Sequence, residues 1–172
     1  MVKVWDRVVR GTHWSVAVLV FFQFLNDDGT PLHRYAGYLA GSLVLLRLAW
    51  STRASGFAHF SKWLPSPTRI NTYLRAARDG RAPRMLGLNP LGACMALLMW
   101  SLILLLAASG WMMGWDIFWG EEWLEYTHAV LAWSLLACVA IHVTAVIVIS
   151  VRHKENLPKA MLTGRKHPLD RP

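Results

Sequence analysis

The stretch WLEYTHAVLAWSLLACVAIHVTAVIVISV, residues Trp123–Val151, contains two histidines, His128 and His142, and no charged residue lies between them. An uncharged apolar run of this length is typical of a helix that crosses a membrane. The fourteen positions that separate the two histidines amount to ~21 Å of axial rise and return the second side chain to within ~40° of the first. We therefore expect one helix to present two imidazoles on one face, one toward each side of the hydrocarbon core.

The composition of the whole chain indicates a membrane protein. Of its 172 residues, 55% are hydrophobic and only 16% are charged, which is unusual for a soluble domain. Weakly charged apolar segments recur four times, so the sequence predicts an all-α fold, a transmembrane four-helix bundle that forms a single domain over residues 1–172. The predicted spans cover approximately residues 6–26, 31–51, 90–115 and 122–152. Thr30–Pro31 and Asn89–Pro90 are predicted helix starts, because a capping side chain followed by proline suits the first helical turn.

The net charge of +8 is explained by topology, and no nucleic-acid partner is predicted. All of the 18 Lys and Arg residues except Arg34 lie before or at the start of span 1, around the connection between spans 2 and 3, or at or after the end of span 4. Basic residues accumulate in the cytoplasmic segments of membrane proteins, so both termini are predicted to be cytoplasmic and membrane lipid is a predicted partner. The 1–2 and 3–4 connections, which would then face outward, carry Asp27, Asp28, Asp116, Glu121, Glu122 and Glu125.

Four of the seven histidines fall into two pairs of similar predicted depth. His13 in span 1 and His142 in span 4 lie in the inner half, whereas His33 in span 2 and His128 in span 4 lie in the outer half. Ionisable side chains inside a membrane are costly and generally functional. Two imidazoles without a carboxylate or thiolate suit six-coordinate haem b, zinc usually takes more protein ligands, and the absence of CxxCH excludes covalent c-type attachment. The four histidines are therefore predicted to bind the iron of two haem b groups.

Two arginines are further candidates for cofactor binding. Arg10 lies near His13 and Arg34 lies beside His33, where a cationic side chain can bind a haem propionate at the water boundary. Each arginine also suits an ordinary interface position from which its charge extends to water. Both interpretations stay open from the sequence.

Two glycines in span 2 are also candidates, whereas span 3 offers none. Gly37 and Gly41 follow His33 by one and two turns, so a flat macrocycle can lie against the backbone there. The same GxxxG spacing also favours close contact between helices. Span 3 has no histidine and no charge before Asp116, so its predicted role is packing alone.

The chain resembles the prokaryotic cytochrome b561 family, which includes the b-type subunits of membrane-bound hydrogenases. The resemblance rests on VWDRVVRGTHW near the start, HRYAGYLAGSLVLLRLAW in span 2, and His128 with His142; GLNPLGA and ENLPKAMLTGRK extend it over nearly the whole chain. Such proteins are four-helix, sometimes five-helix, di-haem cytochromes of the respiratory chain. The resemblance implies that His13, His33, His128 and His142 are the axial ligands, and that the protein is a multi-pass protein of the bacterial inner membrane.

The predicted function is electron transfer between the quinone pool and a periplasmic partner, such as a c-type cytochrome or a hydrogenase-type protein. The acidic outer connections suit a basic partner, although topology alone also explains them. One alternative is a stand-alone quinone-linked oxidoreductase such as a superoxide oxidase, for which a basic outer funnel is expected; Arg34 alone supplies outer charge of that sign. A metal-ion transporter is a minor alternative, because the spans lack carboxylates.

Overall fold

The computed structural model describes residues 1–26 and 29–169 and is mostly helical. Asp27, Asp28 and Arg171, which contribute to the predicted charge asymmetry, lie outside the described residues. The helices, in chain order, are α1 (Arg7–Leu25), α2 (Pro31–Arg53), α3 (Phe60–Trp63), α4 (Pro67–Arg78), α5 (Pro90–Met112), α6 (Glu122–Arg152) and α7 (Leu157–Thr163). The long helices α1, α2, α5 and α6 occupy the predicted spans, although α5 ends before residue 115.

The predicted starts of α2 and α5 are confirmed by their caps. The Thr30 hydroxyl accepts a hydrogen bond from the backbone N–H of His33 at 3.4 Å. The Asn89 side-chain oxygen accepts one from the backbone N–H of Gly92 at 2.7 Å. A proline follows each cap, at a position where the helix needs no N–H donor. Local sequence is therefore sufficient to begin both helices.

Within residues 1–26 and 29–169, three helices, α1, α5 and α6, are long and apolar enough to cross a membrane. Their large apolar side chains remain exposed, for example Trp133 at 68% and Ile147 at 57% on α6. Such a surface is suited to lipid, because a soluble monomer rarely exposes so wide an apolar area. The 23-residue α2 is long enough but is less apolar, since arginine, glycine and tyrosine interrupt its sequence.

The long helices pack against one another in chain order. α1 packs against α2, α2 against α5, and α5 against α6, so α2 and α5 each lie between two neighbours. The central core joins three of the helices through Ala40, Val44, Leu102, Ile103 and Leu135, and α1 adds half-buried apolar side chains to it.

The polar segments at the end where the chain begins and finishes fold into a terminal cap, which we define as residues 1–6, 54–89 and 153–169. The sequence predicts a polar loop over 51–89, with a short amphipathic piece at GFAHFSKWLP, and a polar tail. In the structure α3 lies within that short piece, and the helices α4 in the loop and α7 in the tail are additional to the prediction. Two short antiparallel strands, β1 (Val2–Lys3) and β2 (Arg165–Lys166), join the two ends of the chain.

A buried carboxylate connects the parts of this cap. Glu155 forms an ion pair with Arg84 at 2.7 Å and lies 3.7 Å from the Lys166 ammonium group. Burial by itself raises the pKa of Glu155, but the hydrogen bond from Arg84 and the charges of Lys166 and Arg84 outweigh it, so the pKa is lowered. The carboxylate therefore stays ionised at neutral pH and links the 2–3 connection to the tail.

Candidate functional site

The four predicted histidine ligands come together in the structure as two pairs. The ring centroids of His13 on α1 and His142 on α6 are 6.4 Å apart. Those of His33 on α2 and His128 on α6 are 6.2 Å apart. These are the partners that depth matching in the sequence predicts. Helix α6 therefore contributes one imidazole to each of two separate sites.

The spacing within each pair suits two imidazoles on opposite sides of one metal. A bond from a metal to an imidazole nitrogen is about 2 Å long, and the ring centre lies ~1 Å beyond that nitrogen, so trans imidazoles have centroids roughly 6 Å apart. Both observed separations match this value. The His13–His142 and His33–His128 pairs therefore have the ring spacing that bis-imidazole ligation requires.

The surroundings of the pairs favour a macrocycle over a bare ion. No group of three His, Cys, Asp or Glu side chains able to hold a metal ion occurs in the part of the chain that the structure describes. A haem supplies four nitrogens itself and needs only two axial ligands from the protein. Moreover, α6 is not closely packed against α1 or α2, whereas the pairs α1–α2, α2–α5 and α5–α6 are. The paired histidines therefore lie between helices that stay apart.

Hydrogen bonds orient both imidazoles of the outer pair. The Nδ1 atom of His33 lies 2.6 Å from the carbonyl oxygen of Asn26, which can only accept a hydrogen bond. The Nδ1 atom of His128 lies 2.8 Å from the hydroxyl oxygen of Ser109 on α5. Nδ1–H donation leaves the lone pair on Nε2, the nitrogen that a metal requires. The His33 contact requires Nδ1–H and the His128 contact is compatible with it, so both imidazoles of the outer pair can offer Nε2 to a metal.

The His13 imidazole of the inner pair lacks the Nδ1 hydrogen bond that both outer imidazoles have. The Nδ1 atom of His13 is buried and has no hydrogen-bond partner within the described residues. The Trp14 ring packs edge-on against the His13 imidazole, with centroids 5.2 Å apart. The fit of the inner pair to a haem therefore rests on its 6.4 Å ring spacing and on burial.

The two candidate arginines lie in different environments. Arg10 donates a hydrogen bond from Nη1 to the Thr163 carbonyl oxygen at 3.1 Å, and its buried Nε has no partner in the described part of the chain. Arg34 is exposed and lines a groove of about 350 Å³ with Tyr35, Tyr38 and Trp111. Arg10 is thus attached to the terminal cap, whereas Arg34 lies at the opposite end of the bundle, which is predicted to face outward. Their contact with propionates stays a prediction.

Both candidate glycines contact neighbouring helices. A Cβ atom at Gly37 would lie 3.1 Å from the Gln23 amide nitrogen on α1. A Cβ at Gly41 would lie 3.0 Å from the Ala107 Cβ on α5. This geometry corresponds to the close helix contact that small residues permit. Contact of the same glycines with a haem stays a prediction.

The structure also shows polar side chains whose role the sequence does not reveal. Ser109 contacts His128, so α5 does more than the packing that its apolar sequence predicts. The sequence contains one indication of this contact, because Ser109 lies near the end of α5 that is at the same predicted depth as His128. Arg47 is buried, donates a hydrogen bond to the Ser51 hydroxyl, and places its guanidinium carbon 5.6 Å from the Trp100 ring centroid.

Comparison with known proteins agrees with this geometry. A family model described as prokaryotic cytochrome b561 matches residues 4–164, a range that includes both histidine pairs and all four long helices. No curated protein and no solved structure matches the chain. The chain therefore belongs to the prokaryotic cytochrome b561 family, whose members are membrane-bound b-type cytochromes that act in electron transfer.

Proposed function

We propose that the chain binds two haem b groups and carries electrons between the quinone pool and a periplasmic partner, such as a c-type cytochrome or a hydrogenase-type protein. The proposal is carried by the two separate imidazole pairs, with ring centroids 6.4 Å and 6.2 Å apart. Each pair has the donors and the spacing that one bis-imidazole haem needs. Bound haem supplies an iron that accepts and releases one electron, and the protein provides its axial ligands.

The helices supply the arrangement that such a path requires. On α6, His128 and His142 are separated by ~21 Å of axial rise, so the two sites lie at different depths. The apolar core of Ala40, Val44 and Leu135 lies among these helices and excludes water. A dry, apolar interior keeps electrons on the cofactors, because it offers neither protons nor solvent for side reactions.

The charge distribution supports the proposed orientation and partner. With both termini in the cytoplasm, the terminal cap faces inward and the His33–His128 pair lies near the periplasm. The residues Glu121, Glu122 and Glu125 are exposed at this outer end and suit a basic patch on a soluble redox protein. A superoxide oxidase would instead attract its anionic substrate with basic residues. The acidic outer end therefore favours the electron-transfer function over that alternative.

Replacing one axial ligand tests the proposal. We expect wild-type protein to contain two haems per chain and His128→Ala to contain one, because His33 would lose the imidazole opposite it while the His13–His142 pair is unchanged. Haem content, measured by extraction and quantified against protein, gives the ratio. His167→Ala is the matched control, because His167 is exposed in the tail, and it should retain two.

The same protein preparations distinguish a haem-binding electron carrier from a metal-ion transporter. A reduced-minus-oxidised visible spectrum of wild-type protein should show the bands of low-spin haem b, which a metal-ion transporter would lack. Loss of both haems from a folded His128→Ala protein would contradict the pairing, as would retention of both. Purified protein without haem after expression with sufficient haem supply would contradict the function itself.

A further inference from the structure

We propose that Ser109 of α5 is a positioning residue for His128, and that its hydroxyl lowers the reduction potential of the outer haem. The inference rests on the proposed function, because it takes His128 as an axial ligand of that haem. Ser109 acts through the imidazole of His128. Helix α5, which carries no histidine, thus contributes one residue to the outer haem site.

The hydrogen bonds around Ser109 fit donation from His128 to the serine. The Ser109 side chain is only 6% exposed. Its hydroxyl oxygen lies 2.8 Å from Nδ1 of His128 and 3.1 Å from the carbonyl oxygen of Leu106. With His128 bound to iron through Nε2, Nδ1 carries the ring proton and donates it to the Ser109 oxygen. The single Ser109 proton then goes to the Leu106 carbonyl oxygen, which can only accept.

This arrangement changes how strongly His128 donates electrons to a metal. A ligating histidine whose second nitrogen donates a hydrogen bond becomes a more basic ligand. A more basic ligand stabilises the ferric state relative to the ferrous state and so lowers the reduction potential. Among the described histidines, Ser109 hydrogen-bonds His128 alone, so its effect should be confined to the outer haem.

Substitutions at Ser109 separate this effect from packing. Ser109→Ala removes the acceptor, whereas Ser109→Thr keeps a hydroxyl. Ser134→Ala is a matched control, because the Ser134 hydroxyl also bonds a carbonyl of its own helix, that of Val130 at 2.7 Å, but is exposed and contacts no histidine. The midpoint potentials of both haems are measured by optical redox titration. The His128→Ala protein, with its inner haem alone, identifies which titration step belongs to which site.

We expect Ser109→Ala to raise the midpoint potential of the outer haem and to leave that of the inner haem unchanged. A roughly tenfold shift in the ratio of ferric to ferrous haem corresponds to ~59 mV for one electron. Ser109→Thr and Ser134→Ala should titrate like wild type. The midpoint potentials are informative because a serine with only a structural role would not shift the potential of the outer haem alone.

Two results would overturn the inference while leaving the proposed function intact. One is an unchanged outer potential in Ser109→Ala; the other is an equal shift in Ser109→Ala and Ser109→Thr. If Ser109→Ala is purified without its outer haem, Ser109→Cys provides the comparison, because sulfur fills the space but accepts hydrogen bonds weakly. A raised outer potential in that variant supports the inference, and an unchanged one overturns it. Wild-type protein lacking haem would overturn the proposed function as well.

Discussion

At the scale of single residues, Gly41 allows α2 and α5 to approach each other closely. A Cβ atom there would lie 3.0 Å from the Cβ of Ala107, which is anchored to its own backbone and cannot rotate away. The position is also buried. Close approach of two helices at a small residue improves packing and backbone contacts in membranes. Any larger side chain at Gly41 must therefore push the two helices apart.

We expect Gly41→Leu to lower the stability of the bundle by about 1–3 kcal/mol, the usual cost of overpacking. Thermal unfolding of detergent-solubilised protein, followed by circular dichroism, measures the change. Gly11→Leu is the matched control, because Gly11 also lies in a long helix but a Cβ there would meet nothing within 4 Å. This control should unfold at or above the wild-type temperature.

The same pair of variants tests the other interpretation of Gly41. If its main role were contact with a haem, Gly41→Leu would lose haem at temperatures at which its helices are still folded. If its role is helix packing, stability falls first and haem loss follows unfolding. Haem content measured along the thermal transition therefore distinguishes the two roles.

At the scale of elements, the charge asymmetry between connections predicts how the helices are oriented. The connection between α5 and α6 is acidic, whereas α4 carries Arg69, Arg75 and Arg78. Membrane insertion retains basic segments in the cytoplasm. The α5–α6 connection is therefore predicted to be periplasmic, and α4 with the rest of the terminal cap is predicted to be cytoplasmic.

Cysteine labelling checks this orientation. The native Cys94 and Cys138, which are half-buried in α5 and α6, are first replaced by alanine. In that background, Glu121→Cys should react with a membrane-impermeant maleimide in intact spheroplasts, and Arg78→Cys should react only after lysis, because both positions are exposed. Labelling of Arg78→Cys but not of Glu121→Cys in intact spheroplasts would show that the topology is the opposite of the predicted one.

At the scale of the whole molecule, the two proposed haem sites are separated along the bundle. An axial rise of ~21 Å is about two-thirds of a hydrocarbon core of about 30 Å. Moving one electron across the full membrane changes its free energy by ~2.3 kcal/mol per 100 mV, so this separation corresponds to ~1.6 kcal/mol. With the outside positive, outward electron transfer is favoured by the potential. Inward transfer from a periplasmic donor must be driven by the difference in redox potential.

We therefore expect a membrane potential to redistribute electrons between the two sites. In partly reduced, uniformly oriented proteoliposomes, 100 mV should change the ratio of reduced outer to reduced inner haem by on the order of tenfold. Visible spectroscopy during a potassium–valinomycin diffusion potential measures this ratio, and liposomes without a potassium gradient are the control. If the ratio of reduced outer to reduced inner haem does not change with the imposed potential, both haems lie at one depth.

Local sequence determined the long helices and the identity of the paired histidines. Capping at Thr30 and Asn89 depends on neighbours a few residues away, which is why these helix starts were predictable. The pairing of His33 with His128 followed from membrane depth, because helix rise converts sequence position into height. The short helices α4 and α7 were not predicted, since their polar sequences carry no long apolar run to mark them.

Tertiary structure alone decided which helices touch and what surrounds each imidazole. Nothing in the sequence places α2 between α1 and α5, because apolar faces do not specify their partners. The hydrogen bond between His128 and Ser109 joins residues of different helices, and an uncharged serine gives no local signal of such a contact. The ion pair between Arg84 and Glu155 likewise depends on the folding of the terminal cap. Helix formation is governed by neighbours in the chain, whereas these contacts arise only when separate helices pack together.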